Sequence, residues 1–431
     1  MSTAKHRCRA LYVAAPASGQ GKTTVSAALA RHYTRQGVRV RVFKAGPDYL
    51  DPMILGAASG APVHNLDLWM GGEAHCRQLL ADAAREADLL LVEGVMGLYD
   101  GTPSGADLAR TFDLPVLAVI DASAMAQTFG AIVHGLATWP GHPQVIGAFA
   151  NRVGSHGHRA MLAEALPAGL PLLGTLPGDA APALPARHLG LLPPGEIGGL
   201  ASILEALAQA IEAPPLDALP QVDLCDAPLP TPPRDLAGIR IAVARDAAFA
   251  FCYPANLELL TAMGATLSFF SPLADRSLPP CDALYLPGGY PELHLSRLSG
   301  NLAMHDAIHA HHRRGRPIVA ECGGMLYLLE ALTDTNGAAA ALVGLLPGRA
   351  HLQQRIANLG LHSLRLPEGE MRGHSFHHST TEMALAPVAE THPARHHGRP
   401  EPVWRVGRLL AGYLHLYLPS NPAMAAALFR P

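Results

Sequence analysis

Residues 11–24 read LYVAAPASGQGKTT, and this stretch decides the fold of the first half of the chain. The apolar run 11–15 is typical of a buried strand, and the residues from Lys22 to about position 36 have the period of an amphipathic helix. A strand, a glycine-containing loop and a helix in this order point backbone N–H groups and the positive helix end at phosphate oxygens. The residues predicted to bind a nucleotide are therefore Gly19, Gly21, Lys22, Thr23 and Thr24.

One position departs from the usual phosphate-loop pattern. Pro16 stands where G-x-x-x-x-G-K-[ST] has its first glycine. The alternative interpretation is a glycine-rich turn with a chance lysine. The strand before the loop and the helix after it favour nucleotide binding, with Lys22 on the β/γ-phosphates and the Thr23 hydroxyl on Mg²⁺.

Acidic residues follow the next two predicted strands. Residues 44–52 read KAGPDYLDP, and residues 92–101 read VEGVMGLYDG. Ligands bind at the carboxyl ends of the strands in open α/β sheets, which favours a functional role for Asp48 and Glu93.

Three further polar residues allow two interpretations each. Asp51 and Asp100 lie beside proline or glycine, where acids are common in ordinary turns, and for Asp51 the functional and turn interpretations carry equal weight. Asn151 follows the predicted strand 145–150, where it is expected to contact an adenine edge or a phosphate, although asparagine before a turn is common.

Short apolar runs alternate with helix-type runs on both sides of a proline-rich segment. Residues 213–236 contain seven prolines and have no regular period, so they are predicted to be a linker between domain 1–212 and domain 237–431. Strands separated by helices predict parallel sheets covered on both faces, and hence two doubly wound α/β domains. The predicted strands are 11–15, 38–43, 89–92, 116–120, 145–150, 239–244, 266–270, 283–286 and 318–320.

In the second domain a cysteine follows a predicted strand. Residues 321–325 read ECGGM and lead into a helical stretch. A strand-to-helix turn presents a nucleophile at the top of an α/β sheet, and the helix N-terminus is expected to lower the pKa of Cys322. Backbone N–H groups near Gly289 and Gly323 are predicted to form an oxyanion hole. The alternative, a buried structural cysteine, is preferred for Cys8, Cys225 and Cys281.

Composition argues against several classes of protein. The formal net charge is −3 with 16% charged residues and no run of one sign, so nothing predicts a nucleic-acid partner. The six cysteines form no C-x-x-C pair, which favours a reducing, cytoplasmic location. No apolar run approaches the roughly 20 residues that a membrane helix needs. Only three of the 32 basic residues are lysines, and Lys22 and Lys44 both lie in the motifs above.

The motifs PASGQGKTT, KAGPDYLDP and EGVMGLYDG resemble the synthetase domain of cobyrinic or hydrogenobyrinic acid a,c-diamide synthases, a relative of dethiobiotin synthetase. The resemblance implies a P-loop NTPase-like parallel sheet on which ATP phosphorylates acetate carboxylates of a corrinoid ring and ammonia displaces the phosphate. It implies Mg²⁺ ligation by Thr23, Asp48 and Glu93. It also implies a catalytic role for Asp48 and Tyr49, and substrate contacts by Lys44, Leu50 and Asp100.

The second domain resembles the class I-like, flavodoxin-like glutamine amidotransferase domain of the same synthases. Residues 412–417 read GYLHLY, and the resemblance implies that His415 is the base for Cys322 in glutamine hydrolysis. Ordinary class I amidotransferases carry a glutamate two residues beyond this histidine, where the present chain has Tyr417. Residues 372–379, RGHSFHHS, also match the family and are interpreted as structural or interdomain.

The expected partners are a corrinoid tetrapyrrole, ATP and glutamine, with no nucleic acid and no membrane. The sequence leaves open whether the chain forms a homo-oligomer, whether the ring carries a metal, and the order of the two amidations. One alternative is the same chemistry on nickel-sirohydrochlorin. Cobyric acid synthase is disfavoured by the P-loop segment, and a P-loop regulatory ATPase with a non-catalytic amidotransferase domain is disfavoured by the presence of both Cys322 and His415.

Overall fold

The computed structural model describes residues 4–179, 186–187, 190–191, 193–395 and 398–431. The chain divides into two compact units, Met1–Leu229 and Pro230–Pro431. None of the helices in the described ranges is long and apolar enough to cross a membrane.

The first unit is built on a parallel sheet. Its strands are β1 (Lys5–Ala14), β2 (Val40–Ala45), β3 (His64–Leu66), β4 (Leu89–Glu93), β5 (Val116–Asp121), β6 (Val145–Val153), β7 (Leu172–Pro177), β8 (Ala186–Arg187), β9 (Gly190–Leu191) and β10 (Gln221–Cys225). Its α-helices are α1 (Lys22–Arg35), α2 (Leu50–Ser59), α3 (Gly72–Ala84), α4 (Gly105–Thr111), α5 (Thr128–Thr138), α6 (His156–Glu164) and α7 (Leu200–Ala210). The strand order is β3-β2-β4-β1-β5-β6-β7, with every neighbouring pair parallel.

Strand β1 shows why both faces of this sheet are covered. Leu11 and Val13 belong to the hydrophobic cluster on one face, whereas Ala10 and Tyr12 belong to the cluster on the other. Side chains alternate between the two faces of a strand, so a strand that is apolar at successive positions needs helices on both sides. The predicted doubly wound α/β architecture is confirmed for this unit.

The proline-rich segment differs from its prediction. Within residues 213–236, β10 pairs antiparallel with β1, with Lys5 opposite Cys225 and Arg9 opposite Gln221. Val222 and Leu224 are buried against the first sheet. The segment is therefore partly an edge element of the first unit, and the boundary between the units falls at residues 229 and 230. The short V-x-L alternation carries too little periodicity to stand out among the prolines.

The second unit combines a parallel sheet with an antiparallel extension. Its strands are β11 (Arg240–Ala244), β12 (Thr266–Phe270), β13 (Ala283–Leu286), β14 (Ile318–Glu321), β15 (Leu329–Thr333), β16 (Ala339–Ala341), β17 (Leu346–Leu352), β18 (Asn358–Leu366), β19 (Gly369–His377), β20 (Ser379–Met383), β21 (Ala389–Pro393), β22 (Pro402–Val406), β23 (Leu409–Gly412) and β24 (His415–Leu416). Its α-helices are α8 (Pro254–Ala262), α9 (Leu295–Gly300), α10 (Leu302–Arg313), α11 (Gly323–Leu328) and α12 (Pro422–Phe429).

The main sheet of this unit has the order β12-β11-β13-β14-β23-β22-β21-β18-β19-β24. It is parallel from β12 to β23 and antiparallel from β22 to β24. The parallel part confirms the predicted α/β class. The antiparallel part is not predicted by short apolar runs, because β18 and β19 mix apolar residues with histidine, serine and arginine. It matters because it brings β19 beside the strand that carries His415.

Candidate active sites

The loop between β1 and α1 leads directly into the helix N-terminus. Gly21, the residue before α1, has φ 88° and ψ 23°, a left-handed conformation that glycine adopts without strain. A Cβ atom at this position would come 2.1 Å from Asn151 Nδ2. Both the backbone conformation and the close approach therefore require glycine. Gly19 also lies in this loop with φ 80°, and Thr23 and Thr24 lie in the first turn of α1.

Asn151 supports the loop from β6. Its buried Nδ2 donates to the Gln20 carbonyl oxygen at 3.0 Å, and Gln20 Oε1 accepts a hydrogen bond from the Asp121 N–H at 3.0 Å. The carboxyl ends of β5 and β6 thus fix the shape of the loop. The nucleotide contact of Asn151 stays a prediction.

Lys22 lies across the loop. Its Nζ donates to the carbonyl oxygens of Met96 at 2.6 Å and Ala17 at 3.2 Å. Burial lowers the pKa of Lys22, and the nearby charge of Lys44 lowers it further. The contact with Met96, which has φ 52°, was not predicted, because it depends on a main-chain oxygen whose position no side-chain pattern records.

The glycine-rich loop after β4 packs on the phosphate loop. A Cβ atom at Gly97 would come 2.6 Å from the Pro16 carbonyl oxygen, and the Leu98 N–H donates to the Ala15 carbonyl oxygen at 2.9 Å. Asp100 is exposed, and its Oδ2 accepts a hydrogen bond from the Gly97 N–H at 2.8 Å. This contact supports the turn interpretation of Asp100, whose substrate contact stays a prediction.

A buried charge cluster lies at the carboxyl ends of β2 and β4. Lys44 and Glu93 are register partners on these strands, so their side chains lie side by side. Lys44 Nζ is 2.6 Å from both Asp51 Oδ2 and Glu93 Oε1, and 3.6 Å from Asp48 Oδ2. Thr23 Oγ1 donates to Glu93 Oε1 at 2.9 Å, which joins the cluster to the phosphate loop. The structure therefore places Asp51 among the site residues.

The members of this cluster depend on one another for their charges. Burial opposes a charged Lys44, yet the charges of Glu93, Asp51 and Asp48 together raise the pKa of Lys44 well above its usual value. Burial raises the pKa of Glu93 and raises that of Asp48 to about 7, while the Lys44 charge acts in the other direction. For Asp51, burial is outweighed by the charge and hydrogen bond of Lys44, and its pKa is lowered. A single ammonium thus stabilises several buried carboxylates.

Asp48 also organises the start of α2. Its Oδ1 accepts hydrogen bonds from the N–H groups of Leu50 at 3.0 Å and Asp51 at 3.3 Å, as short polar side chains do at helix starts. Leu50 is buried in the first turn of α2, and Tyr49 precedes the helix half-buried. The catalytic role of Tyr49 and the substrate contact of Leu50 stay predictions.

The residues beside the phosphate loop fit a nucleotide-bound Mg²⁺. Glu93 Oε2 is buried and has no hydrogen-bond partner among the described residues, and the Thr23 hydroxyl lies next to the same carboxylate. In the described ranges, no group of three or more His, Cys, Asp or Glu side chains could hold a metal ion by itself. Mg²⁺ in proteins is commonly held by one or two oxygen ligands plus substrate phosphates. The third predicted ligand, Asp48, is engaged with the start of α2 and with Lys44.

In the second unit Cys322 occupies a strained turn between β14 and α11. It has φ 45° and ψ −109°, unusual for a residue with a side chain. A Cβ atom at Gly323 would come 2.8 Å from the Gly289 nitrogen, and one at Gly324 would come 2.1 Å from the Leu286 carbonyl oxygen. The structure therefore brings together the two main-chain segments from which the oxyanion hole is predicted, Gly289 and Gly323.

His415 lies on the other side of the same glycine segment. A Cβ atom at Gly288 would come 2.2 Å from His415 Cε1, so the imidazole packs directly on this residue. Gly288 contacts His415, and the next residue, Gly289, contacts Gly323. The predicted base and the turn of Cys322 therefore pack against neighbouring residues of one segment. Tyr417 packs edge-to-face against Tyr253 with ring centroids 5.2 Å apart.

Burial sets the protonation states of this site. It raises the pKa of the Cys322 thiol, with the charge of Glu292 acting in the same direction, and the Gly323 N–H only partly opposes this. The predicted net lowering of the Cys322 pKa by the helix is therefore wrong, because one hydrogen bond from a six-residue helix does not outweigh burial. Burial, followed by the charges of His374 and His377, lowers the pKa of His415 to about 3. Burial thus favours the neutral form of both the thiol and the imidazole.

The segment 372–379 lines this site on β19. His374 is the register partner of His415, and its own burial lowers its pKa to about 3. The His377 ring stacks on Tyr413 with centroids 3.6 Å apart and an interplanar angle of 7°. The sequence of the segment is interpreted as structural or interdomain, and in the structure the segment also lies beside the predicted base.

His377 also contacts the buried side chain of Glu401. Its Nε2 contacts Glu401 Oε1 and its Nδ1 lies 2.9 Å from the Ser379 carbonyl oxygen. Both ring nitrogens therefore face oxygen atoms. Burial opposes a charged Glu401, but the hydrogen bond and charge of His377 lower its pKa. Sequence reasoning missed Glu401, since nothing local in its Arg- and Pro-flanked stretch marks it.

Comparison with known proteins gives the class of both units. Residues 11–192 match the CobQ/CobB/MinD/ParA nucleotide binding domain family, and residues 240–423 match the CobB/CobQ-like glutamine amidotransferase domain family. The fold and these matches define an amidating ligase that combines a nucleotide-binding unit with a glutamine amidotransferase unit.

Three relatives that match almost the whole chain share half or more of its residues. The hydrogenobyrinate a,c-diamide synthase of Pseudomonas aeruginosa is 58% identical over 426 residues, covering 99% of this chain and 98% of the relative. The enzyme of the same name from Stutzerimonas stutzeri is 57% identical over 425 residues, with coverages of 98% and 99%. The cobyrinate a,c-diamide synthase of Herminiimonas arsenicoxydans is 50% identical over 436 residues, with coverages of 100% and 99%. The chain belongs to the cobyrinate and hydrogenobyrinate a,c-diamide synthase family, as its motifs predict.

Proposed function

We propose that this protein uses ATP and glutamine to convert the a and c acetate carboxylates of hydrogenobyrinic acid into amides, in cobalamin biosynthesis. The relatives named for hydrogenobyrinate are 58% and 57% identical to this chain, and the relative named for cobyrinate is 50% identical. This order supports the metal-free ring over the cobalt-containing one.

The synthetase step takes place in the unit that ends at residue 229. A substrate carboxylate oxygen attacks the γ-phosphorus of ATP, the bond to the ADP oxygen breaks, and an acyl phosphate forms. Ammonia then attacks the acyl carbon, phosphate leaves, and the nitrogen loses a proton. Phosphoryl transfer needs mainly positioning and charge neutralisation. The contact of Lys44 with Glu93, joined to the loop by Thr23, is the observation that carries this half of the proposal.

Each group at this site has a proposed task. Lys22 and the N–H groups of the first turn of α1 neutralise the phosphates, and Lys44 neutralises the buried acids while the substrate carboxylate approaches. Thr23 and Glu93 are the residues that would hold Mg²⁺, which would supply further neutralisation of the phosphate charge. Asp48 keeps the start of α2 in place through its two hydrogen bonds.

The glutaminase step takes place in the unit that begins at residue 230. His415 takes the proton of the Cys322 thiol, and the sulfur attacks the side-chain amide carbon of glutamine. The oxyanion accepts hydrogen bonds from the backbone near Gly289 and Gly323. The C–N bond breaks as His415 returns the proton to the leaving ammonia, and water hydrolyses the thioester to glutamate. The observation that carries this half of the proposal is the strained turn of Cys322. His415 packs on Gly288, and Gly323 packs on the next residue, Gly289. A reducing cytoplasm, where such a thiol survives, is the proposed location.

The experiment offers the purified protein hydrogenobyrinic acid, cobyrinic acid and nickel-sirohydrochlorin separately, each with ATP, Mg²⁺ and glutamine. Mass spectrometry counts the amidations, because each replaces a hydroxyl by an amino group. Two amidations, with the highest kcat/KM on hydrogenobyrinic acid, are expected. A preference for another tetrapyrrole would replace the proposed substrate, and no amidation of any of them would overturn the proposal.

A further inference from the structure

A buried carboxyl group lies directly beside the predicted nucleophile, yet neither reaction uses it. Glu321 is the last residue of β14, is 2% exposed, and precedes Cys322. Side chains alternate along a strand, so Glu321 shares a face with Val319, which packs in the cluster that contains Tyr285. Cys322 packs in the cluster on the opposite face. Glu321 therefore packs on the face of the sheet opposite to the cluster that contains Cys322.

The carboxyl group of Glu321 belongs to a hydrogen-bonded chain. The Tyr285 hydroxyl donates to Oε1 and Oε2, both at 3.1 Å, and the Leu416 N–H donates to Oε1 at 3.3 Å. Asn256 Nδ2, on α8, donates to the Tyr285 oxygen at 3.1 Å. All of these side chains are buried, so each of the hydrogen bonds is made away from water.

Asn256 holds the same strand at two further points. Its Nδ2 donates to the Leu416 carbonyl oxygen at 2.8 Å, and its Oδ1 accepts a hydrogen bond from the Leu418 N–H at 2.8 Å. Together with Glu321, it engages both main-chain polar groups of Leu416, the residue after His415. Side chains of β13, β14 and α8 thus hold the backbone next to His415.

No acid follows His415 on its own strand. Leu416, Tyr417 and Leu418 come next, and the Tyr417 ring packs against Tyr253. A base acts efficiently only when the backbone that carries it is held in place, since a displacement of about 1 Å costs about 10²-fold in rate. The contacts of Glu321 and Asn256 with residues 416–418 supply such rigidity on the strand of His415.

We propose that Glu321, Tyr285 and Asn256 are positioning residues that fix the backbone of His415 relative to Cys322. This inference rests on the proposed roles of Cys322 and His415 in glutamine hydrolysis. Glu321 links the two directly, because its main chain leads into the turn of Cys322 and its side chain holds the residue after His415.

The test measures glutamine hydrolysis and ammonia-dependent amidation by full-length Glu321→Ala and Glu321→Gln variants. We expect Glu321→Ala to lower kcat for glutamine by about 10²-fold with little change in KM, and to leave ammonia-dependent amidation intact. Glu321→Gln keeps an acceptor for the Leu416 N–H and is expected to stay within about threefold of the wild type. The alkylation rate of Cys322 by a glutamine-analogue electrophile is expected to fall with kcat.

A matched tyrosine pair keeps the test decisive if Glu321→Ala does not fold. Tyr285→Phe removes a hydroxyl that links Asn256 to Glu321, and a loss of about tenfold in kcat is expected. Tyr327→Phe removes a hydroxyl that is also buried but has no hydrogen-bond partner among the described residues, so no loss is expected.

Two outcomes would overturn the inference. One is glutamine hydrolysis by folded Glu321→Ala within about threefold of the wild type; the other is a loss that lies in KM alone or is equal in Tyr285→Phe and Tyr327→Phe. A Cys322→Ala variant measured alongside distinguishes a failure of the positioning role from a failure of the proposed glutaminase residues. If Cys322→Ala still hydrolyses glutamine, the proposed glutaminase residues are wrong, whereas an inactive Cys322→Ala beside an unaffected Glu321→Ala removes only the positioning role.

Discussion

At the carboxyl ends of the strands in the first sheet, Lys44 lies 2.6 Å from both Asp51 and Glu93, and its charge opposes the effect of burial on the pKa of each acid. In the second unit, burial instead pushes Cys322 and His415 toward their neutral forms. Phosphoryl transfer handles highly charged groups from start to finish, so compensating charges suit its site. Glutamine hydrolysis begins with neutral reactants and develops charge only as the proton moves from sulfur to imidazole. A buried group can therefore be held charged or neutral, depending on which charged groups lie beside it.

The largest expected effect separates the two sites. Cys322→Ala should abolish glutamine-dependent amidation, with a loss of at least about 10³-fold, because no other group replaces the nucleophile. Amidation with added ammonia should continue at the wild-type rate. Both rates are read by mass spectrometry of the tetrapyrrole product, and unchanged use of glutamine would contradict the proposed division between the units.

Removing the central charge of the first site should cost stability. Lys44→Met leaves buried carboxylates without their cation, and a loss of about 4 kcal/mol in the free energy of unfolding of the first unit is expected. Hydrogen–deuterium exchange of peptides from β2 and β4 measures it, with peptides from β11 and β13 as the internal control.

The double variant Lys44→Met/Glu93→Gln sharpens this test. It should recover part of the lost stability, since one uncompensated carboxylate is removed as well. If Lys44→Met alone exchanged as slowly as the wild type, the acids would be neutral without their cation, and the contrast between the two sites would disappear.

A smaller loss is expected when the phosphate-loop lysine keeps its charge but changes its shape. Lys22→Arg should slow amidation by about 10²-fold with either nitrogen source, because the broad guanidinium does not fit between the carbonyl oxygens of Ala17 and Met96. Lys5→Arg is the matched control: Lys5 is exposed and pairs with Asp223 only at 3.9 Å. A loss confined to glutamine-dependent amidation would place Lys22 in the ammonia supply instead.

The last expected effect concerns pH. Burial raises the pKa of Glu321 to about 8 from its usual 4.5. Between these values the native state binds more protons than the unfolded state, so the stability that Glu321 contributes is complete below pH 4.5 and is lost as pH rises toward 8.

Glu321→Gln should remove this dependence. Urea denaturation at a series of pH values should show the variant gaining on the wild type by about 1.4 kcal/mol for each pH unit in that window. Parallel curves for the two proteins would show that Glu321 is ionised in the native state, and the second site would then hold a buried charge as the first does.

Sequence reasoning found the parts of both sites that are built within single motifs. The phosphate loop, Glu93 at the end of β4 and the turn of Cys322 each combine a strand end with glycines and a reactive or charged residue, and all of this is local information. For Asp51, this local information favoured a functional role no more than the role of an ordinary acid in a turn. The register of β2 against β4 places Lys44 beside Glu93, and the packing of α2 brings Asp51 to the same ammonium group.

The groups that sequence reasoning missed come together from distant segments. Glu401 meets His377 across 24 positions, and Asn256 meets Leu416 across 160. Such pairs depend on the order and register of strands, which no local pattern records. For the same reason β10 was hidden in the proline-rich segment, since its pairing with β1 joins residues about 220 positions apart.

The local sequence specifies where the chain needs strand, glycine loop and helix, because these are demands of backbone geometry and period that neighbouring residues satisfy. It thereby determined the α/β class, the phosphate loop and the presentation of Cys322. The charge of each group depends instead on how the chain folds. The helix after Cys322 predicts a lowered pKa, yet burial reverses the direction, while at Lys44 three acids overcome burial. The physical reason is that a charge responds to every group around it in space, and those neighbours exist only once the sheets have formed.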